Sequence, residues 1–156
     1  MRPVAFEPHN HTRCIAGAME RADQICADKG VRLTPVRRRV LEVLLEEHRA
    51  LGAYDVLERL NVEGLGSKPP IAYRALSFLV DMGFAHRVEK LNAFVACVDP
   101  RGCGQPALYI CSQCGTIAET EVARSVDDVS GFSVSSIVIE IEGICPACLS
   151  TSEKSK

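Results

Sequence analysis

The chain has no tryptophan, and of its 156 residues only three are tyrosine and five phenylalanine. Its core must therefore be aliphatic, with cysteine as a small apolar filler. No apolar run reaches the ~18 residues of a membrane-crossing helix. The opening stretch, Met1 to Cys14, has no apolar core of signal-peptide length, so a cytoplasmic protein with no membrane partner is expected. There is no catalytic His/Asp pairing and no Gly-rich phosphate loop, which argues against an enzyme. Net charge is only −2, so the chain as a whole shows no pull toward a polyanion. The halves differ, however. Residues 1–97 carry 14 Lys/Arg against 12 Asp/Glu, and residues 98–156 carry 4 against 8. A polyanion would meet the front half.

Cysteine, by contrast, is abundant: eight residues in a chain read as cytoplasmic, where thiols serve as metal ligands more than as disulfides. Four of them form two C-x-x-C pairs, Cys111-Ser-Gln-Cys114 and Cys145-Pro-Ala-Cys148. Together they offer four sulfurs, the full tetrahedral shell of a closed structural zinc site. The thirty intervening residues must fold so as to return the second pair to the first. A thioredoxin-like dithiol or plain core cysteines are the rival readings, and two pairs in turn-like sequence favour zinc.

Taken in order, residues 1–14 read as a flexible tail in which His9, His11 and Cys14 are solvated or bind metal loosely. Apolar residues from Ile15 to Cys26 follow helical spacing, and Gly30 is a C-cap glycine. Cys26 falls on the apolar face and reads as core. A second helix starts at Thr34-Pro35, an N-cap followed by a first-turn proline. Val36, Val40, Val43 and Leu44 form its buried stripe, while Arg32, Arg37, Arg38 and Arg39 crowd its start. A third helix is expected over Ala53 to Leu60.

The fourth helix opens at Pro69-Pro70 and closes at Gly83. Ile71, Ala72, Ala75, Leu76, Leu79 and Val80 make one apolar face, and Tyr73, Arg74 and Ser77 make a small polar face opposite. Such a face can lie in the major groove of double-stranded DNA. Two short strands follow, Ala85 to Glu89 and Ala93 to Val98. Short helices followed by a hairpin is the layout of a winged helix. The wing carries Arg87 and Lys90, able with Arg37 and Arg38 to reach phosphates.

Residues 99–106 read as a hinge, rich in Pro and Gly. Beyond it, Ala107 to Cys111 and Thr116 to Val122 read as strands, Ala123 to Val129 as a short helix and Val134 to Glu142 as an alternating strand. The fold class expected is α+β. It comprises a winged helix over 15–98, a hinge over 99–106, a small α/β domain with the four-cysteine site over 107–150 and a polar tail over 151–156.

The stretch from Lys68 to His86, together with Arg32-Leu-Thr-Pro-Val-Arg37, Ala53-Tyr-Asp-Val-Leu57, the wing ending at Cys97 and both C-x-x-C pairs, resembles the ferric uptake regulator superfamily. The double proline and His86 resemble its zinc uptake regulator branch. The resemblance covers roughly residues 17–148 and implies a homodimeric, zinc-responsive repressor of zinc-uptake genes that binds operator DNA when loaded. The C-terminal domain is then the dimerisation domain. Two zinc ions per monomer are implied, one structural at Cys111, Cys114, Cys145 and Cys148, and one regulatory at His86, Cys97, a hinge histidine and Glu119. Here the hinge has no histidine. Cys103 lies one residue from the expected place and is taken as the replacement, with Asp99 the alternative. The His-rich cluster of the iron and peroxide branches is missing, and thiolate donors suit zinc better than ferrous iron. A thiol-based redox sensor, or an iron- or peroxide-responsive regulator of the same superfamily, is the alternative function.

Overall fold

In the computed structural model, residues 11–101, 106–121, 130–135 and 137–153 are described. The expected short helix over 123–129, His9 and Cys103 lie outside them. Helices α1 (His11–Asp28), α2 (Pro35–Glu46), α3 (Ala53–Val62) and α4 (Pro69–Asp81) come first. They are followed by the hairpin β1 (Ala85–Val88) and β2 (Ala93–Ala96). The second half holds β3 (Pro106–Cys111), β4 (Ile117–Glu121), β5 (Ile139–Gly143) and α5 (Pro146–Glu153). No helix among the described residues is long and apolar enough to cross a membrane.

The helices start and stop where local chemistry dictates. The Thr34 hydroxyl oxygen accepts the Arg37 backbone N–H at 3.4 Å, capping α2, and Pro35 fills the first turn, where no donor is missed. At the end of α4 the chain must turn left-handed, and Gly83 does so at φ 76°. The N–H of Phe84 then reaches the Leu79 carbonyl at 2.8 Å, and that of Gly83 reaches Val80 at 3.0 Å. This is a Schellman closure, which a Cβ at Gly83 would strain.

Four helices and the hairpin share one core. Val40, Val43, Leu44, Val56, Leu60, Leu76 and Leu79 are fully buried in it, and Phe84 is its one large ring below 2 % exposure. Cys26 lies in this core as expected, and burial pushes its thiol pKa up. Arg39 is held by Glu63, Glu46 and Glu42, which raise its pKa and tie α2 to the end of α3.

In the second half β3 is central, antiparallel to β4 and parallel to β5. A second apolar cluster joins the halves: Val88 and Val95 of the hairpin pack with Leu108, Ile110 and Ile117 of the sheet. Main-chain bonds cross the same seam, since the Ile117 N–H donates to the His48 carbonyl at 2.7 Å. The wing tip is also docked: the Glu140 carboxylate accepts the backbone N–H groups of Glu89 and Lys90, and Lys90 pairs with Glu142.

Three expectations need correction. α1 begins at His11, so residues 11–14 are helical rather than tail. The last strand begins at Ile139 rather than Val134, because its parallel partner β3 starts only at Pro106 and offers residues from Ala107, opposite Ile139. α5 was not expected from the sequence, and it takes in Ser150 to Glu153, three of which were read as tail. It lacks an apolar stripe, and Pro146 at its first position was its one signal.

The two faces of α4 generate a prediction. Leu76 is fully buried and Tyr73 is 46 % exposed. Leu76→Ala should lower unfolding free energy in urea by about 2–5 kcal/mol, whereas Tyr73→Ala should stay within about 0.5 kcal/mol. Equal losses would mean that α4 does not present this face to solvent.

Candidate metal centres and nucleic-acid face

The first C-x-x-C lies at the turn between β3 and β4, and the second at the entrance of α5. Parallel pairing of β3 with β5 sets Cys111 opposite Gly143, two residues before Cys145. That register brings the pairs together across thirty residues. Cys111 Sγ and Cys148 Sγ are 4.0 Å apart, and Cys114 Sγ and Cys145 Sγ are 3.7 Å apart. All four sulfurs lie within 4.8 Å of one another. Disulfide sulfurs would be bonded at about 2.05 Å. A zinc tetrahedron with bonds of about 2.3 Å has edges of about 3.8 Å, so the spacing fits the metal.

The electrostatics are uneven before any metal binds. The backbone N–H groups of Cys114 and Cys145 face Cys111 Sγ and lower its pKa to about 6. The bond from Cys145 measures 3.3 Å. Thr116, whose hydroxyl is 3.1 Å from Cys114 Sγ, lowers the Cys114 thiol as well. Hydrogen bonding to Cys145, then burial, pushes Cys148 up to about 12. One thiolate is therefore ready at neutral pH, and one proton stays on Cys148 for a cation to displace.

The second cluster straddles the seam. His86 is on β1, Cys97 follows β2 and Glu119 is on β4. Glu119 Oε1 lies 3.0 Å from His86 Nε2 and accepts the Cys97 thiol at 3.5 Å, while Oε2 accepts the Val98 N–H at 2.9 Å. The three potential ligand atoms fall within 4.8 Å of one another. Cys97 is 2 % exposed, and the Glu119 side chain is 10 % exposed. One nitrogen, one sulfur and one carboxylate in a shielded pocket suit zinc, with a fourth position left over. Asp99 is exposed and not in the cluster, and its Oδ1 accepts the Arg101 N–H at 3.2 Å. Taken alone, the His86–Glu119 contact is an ordinary hydrogen-bonded pair. Cys97 against the same oxygen makes it a candidate ligand set.

Among the DNA candidates, Tyr73, Arg74 and Ser77 are exposed on one side of α4. Arg74 makes no ion pair among the described residues. The other basic candidates have internal partners. Arg37 donates to the Arg32 carbonyl at 2.8 Å and stacks over Phe78 at 3.7 Å. Arg38 pairs with Asp23, Arg87 with Glu89 and Lys90 with Glu142. Sequence reasoning missed Glu140 and Glu142 as wing anchors, because nothing in an alternating strand marks which carboxylates reach another domain.

No protein-family model matches the chain. The zinc uptake regulation protein of Escherichia coli (strain K12) is 39 % identical over 139 residues, spanning 84 % of this chain and 81 % of that protein. A solved zinc uptake regulator complexed with zinc and DNA superposes with a TM-score of 0.81 at 37 % identity, over 89 % of this chain and 97 % of that one. The holo form of the regulator XcZur gives a TM-score of 0.73 at 32 % identity, over 85 % and 96 %. With the two candidate metal clusters and the exposed polar face of α4 in place, the chain belongs to the zinc uptake regulator branch of the ferric uptake regulator family.

Proposed function

We infer that this protein is a zinc-responsive transcriptional repressor that binds operator DNA as a homodimer and represses zinc-uptake genes. The observation that carries the reading is the meeting of His86 and Cys97, from the winged helix, with Glu119, from the sheet. The similar regulator solved with zinc and DNA supports it. Cys111, Cys114, Cys145 and Cys148 would hold a structural ion, and His86, Cys97 and Glu119, with Cys103 as the fourth donor, a regulatory one. The ion supplies positive charge that offsets the Glu119 carboxylate and the thiolates, and a tie between the two halves.

The chain's own residues do the rest. Glu119 draws β1 and β2 toward β4, and Val88, Val95 and Ile117 close the seam behind it. The winged helix over 15–98 is thereby held at one angle to the dimerisation domain over 107–150, across the hinge at 99–106. Two α4 helices in a dimer then keep one spacing, as a two-fold operator requires. A roughly 100-fold change in DNA affinity needs only about 2.7 kcal/mol of coupling between the sites. Tyr73, Arg74 and Ser77 read base edges, and Arg37, Arg38, Arg87 and Lys90 follow the backbone. The last three must exchange a carboxylate neighbour for phosphate, so each adds little net affinity.

The structural site is tested with Cys148→Ser, which should lose one zinc per monomer, melt lower and fail to dimerise. A Cys148→Ser protein of normal melting temperature that remains dimeric in sedimentation would refute that role. The pKa pattern adds a pH dependence. Protons must leave Cys148 on binding, so zinc affinity rises with pH through neutrality. Below about 6 Cys111 also takes up a proton, and affinity should fall more steeply there.

For the regulatory site, Cys97→Ser and Glu119→Gln should keep the structural zinc and the dimer yet lose zinc-dependent operator binding. Cys103→Ser should do the same, and Cys103→His should restore the response with less sensitivity to peroxide. Normal repression by Cys103→Ser at the same free zinc would remove Cys103 from the set.

On DNA, Arg74→Ala should cost about 1–3 kcal/mol on the operator and relax base preference. Lys90→Ala should weaken all sequences alike and flatten the salt slope. Gel-shift titrations on operator and random duplexes separate the two, and equal losses on both for Arg74→Ala would deny it a reading role.

A further inference from the structure

A half-open cavity of about 460 Å³ lies between α1, the end of α2, β2 and β4. Its size is that of a small-molecule pocket, and its lining is chiefly aliphatic, with Ile15, Ala18, Leu44, Leu45, Val95 and Ile117. The wall contributed by α1 has a gap in it. Arg13, Gly17 and Arg21 follow one another at one-turn spacing, and all three line the cavity. Glycine inside a helix is unfavourable relative to alanine. A Cβ at Gly17 would stand 3.4 Å from Arg21 Nη1. The half-buried Arg21 guanidinium thus lies over the glycine, beside an apolar space.

Arg21 makes no ion pair among the described residues. The two carboxylates of the lining are engaged elsewhere. Glu47 pairs with Arg59 at 2.7 Å, and Glu119 meets His86 and Cys97. Arg21 is therefore a charged group of the lining left to meet a ligand. Two arginines in the wall disfavour a metal ion or an amine. An uncharged apolar ligand would leave the half-buried guanidinium without an anion. A carboxylate would give it two parallel N–H···O bonds. The aliphatic walls take a flexible alkyl chain behind that head group.

We propose that this cavity binds a medium-chain alkyl monocarboxylate, with its chain against Leu44, Val95 and Ile117 and its carboxylate on Arg21. Such an acid touches both halves of the molecule, since Leu44 and Val95 belong to the winged helix and Ile117 to β4. Its occupancy favours the docked arrangement of the halves, an input to the seam separate from metal. The binding itself does not depend on the regulatory reading of His86, Cys97 and Glu119.

The test uses the full-length, zinc-loaded protein. Octanoate is titrated into it by isothermal calorimetry, with octanol and octylammonium as charge controls. One octanoate should bind per chain, octanol at least about tenfold more weakly, and octylammonium not at all. Arg21→Gln shortens the side chain and removes the charge. It should weaken octanoate about tenfold or more, to the level of octanol, and leave octanol unchanged. Gly17→Leu fills the gap with a side chain and should abolish binding of both. Octanoate should raise the melting temperature of the wild type and not that of Arg21→Gln. Circular dichroism checks the fold of each variant, and if Gly17→Leu misfolds, Arg21→Gln decides alone. The proposal is overturned if octanoate finds no site, if octanol binds the wild type as tightly, if Arg21→Gln keeps wild-type affinity for octanoate, or if a folded Gly17→Leu still binds it.

Discussion

A single carboxylate organises the junction between the two halves. Glu119 accepts from His86, from the Cys97 thiol and from the Val98 N–H, and its side chain is only 10 % exposed. A carboxylate so placed is expensive unless its oxygens are engaged. These three partners come from the winged helix, while its backbone belongs to the sheet. These hydrogen bonds to one side chain are therefore made when the halves are docked. This makes the seam responsive to charge, since anything that changes the balance around Glu119 changes the free energy of docking.

The rest of the seam is built to amplify that response. Val88 and Val95 bury themselves against Leu108, Ile110 and Ile117, an apolar contact that cannot be half made. Main-chain pairing of His48 with Ile117, and the Glu140 cradle under the wing tip, add directional bonds. Together they define the docking angle of the two halves. An ion held by residues of both halves would need only a few kcal/mol of coupling to select that angle. The four-cysteine cluster has the opposite character. All four sulfurs belong to one half and sit on turns fixed by the β3–β5 register, so an ion held there would brace that half alone.

Much of this could be read from the residues. The helix stops at Gly30 and Gly83 and the cap at Thr34 are local chemistry, visible in a few residues, and the structure keeps them. The apolar stripe of α4 likewise predicted Ala72, Ala75, Leu76 and Leu79 inside and Tyr73, Arg74 and Ser77 outside. The cysteine pairs were legible because two C-x-x-C motifs constrain each other. His86, Cys97 and Glu119 were different. None has a local signature, and only the resemblance placed them together; the structure then brought their ligand atoms within 4.8 Å. What escaped was non-local: α5, which lacks an amphipathic stripe, the start of α1 at His11, and the carboxylates of β5 that hold the wing. Each depends on a partner far away in sequence.

The wing shows why exposure and charge alone are poor guides to a nucleic-acid face. Arg38, Arg87 and Lys90 look from sequence like phosphate contacts, yet each already faces a carboxylate. Such pairs are half-exposed and weak, so phosphate can displace them. Displacement nevertheless carries a consequence for Lys90. Its carboxylate, Glu142, lies on β5 beside Glu140, which holds the wing backbone. If phosphate draws Lys90 away, Glu140 becomes the main polar link between wing tip and sheet, while Glu119 and the apolar cluster hold the base of the wing. On the proposed reading, DNA and the domain seam would compete for one lysine and share one hairpin. The angle of the wing would then be set from below by Glu119 and trimmed at its tip by the balance between Glu142 and a bound duplex.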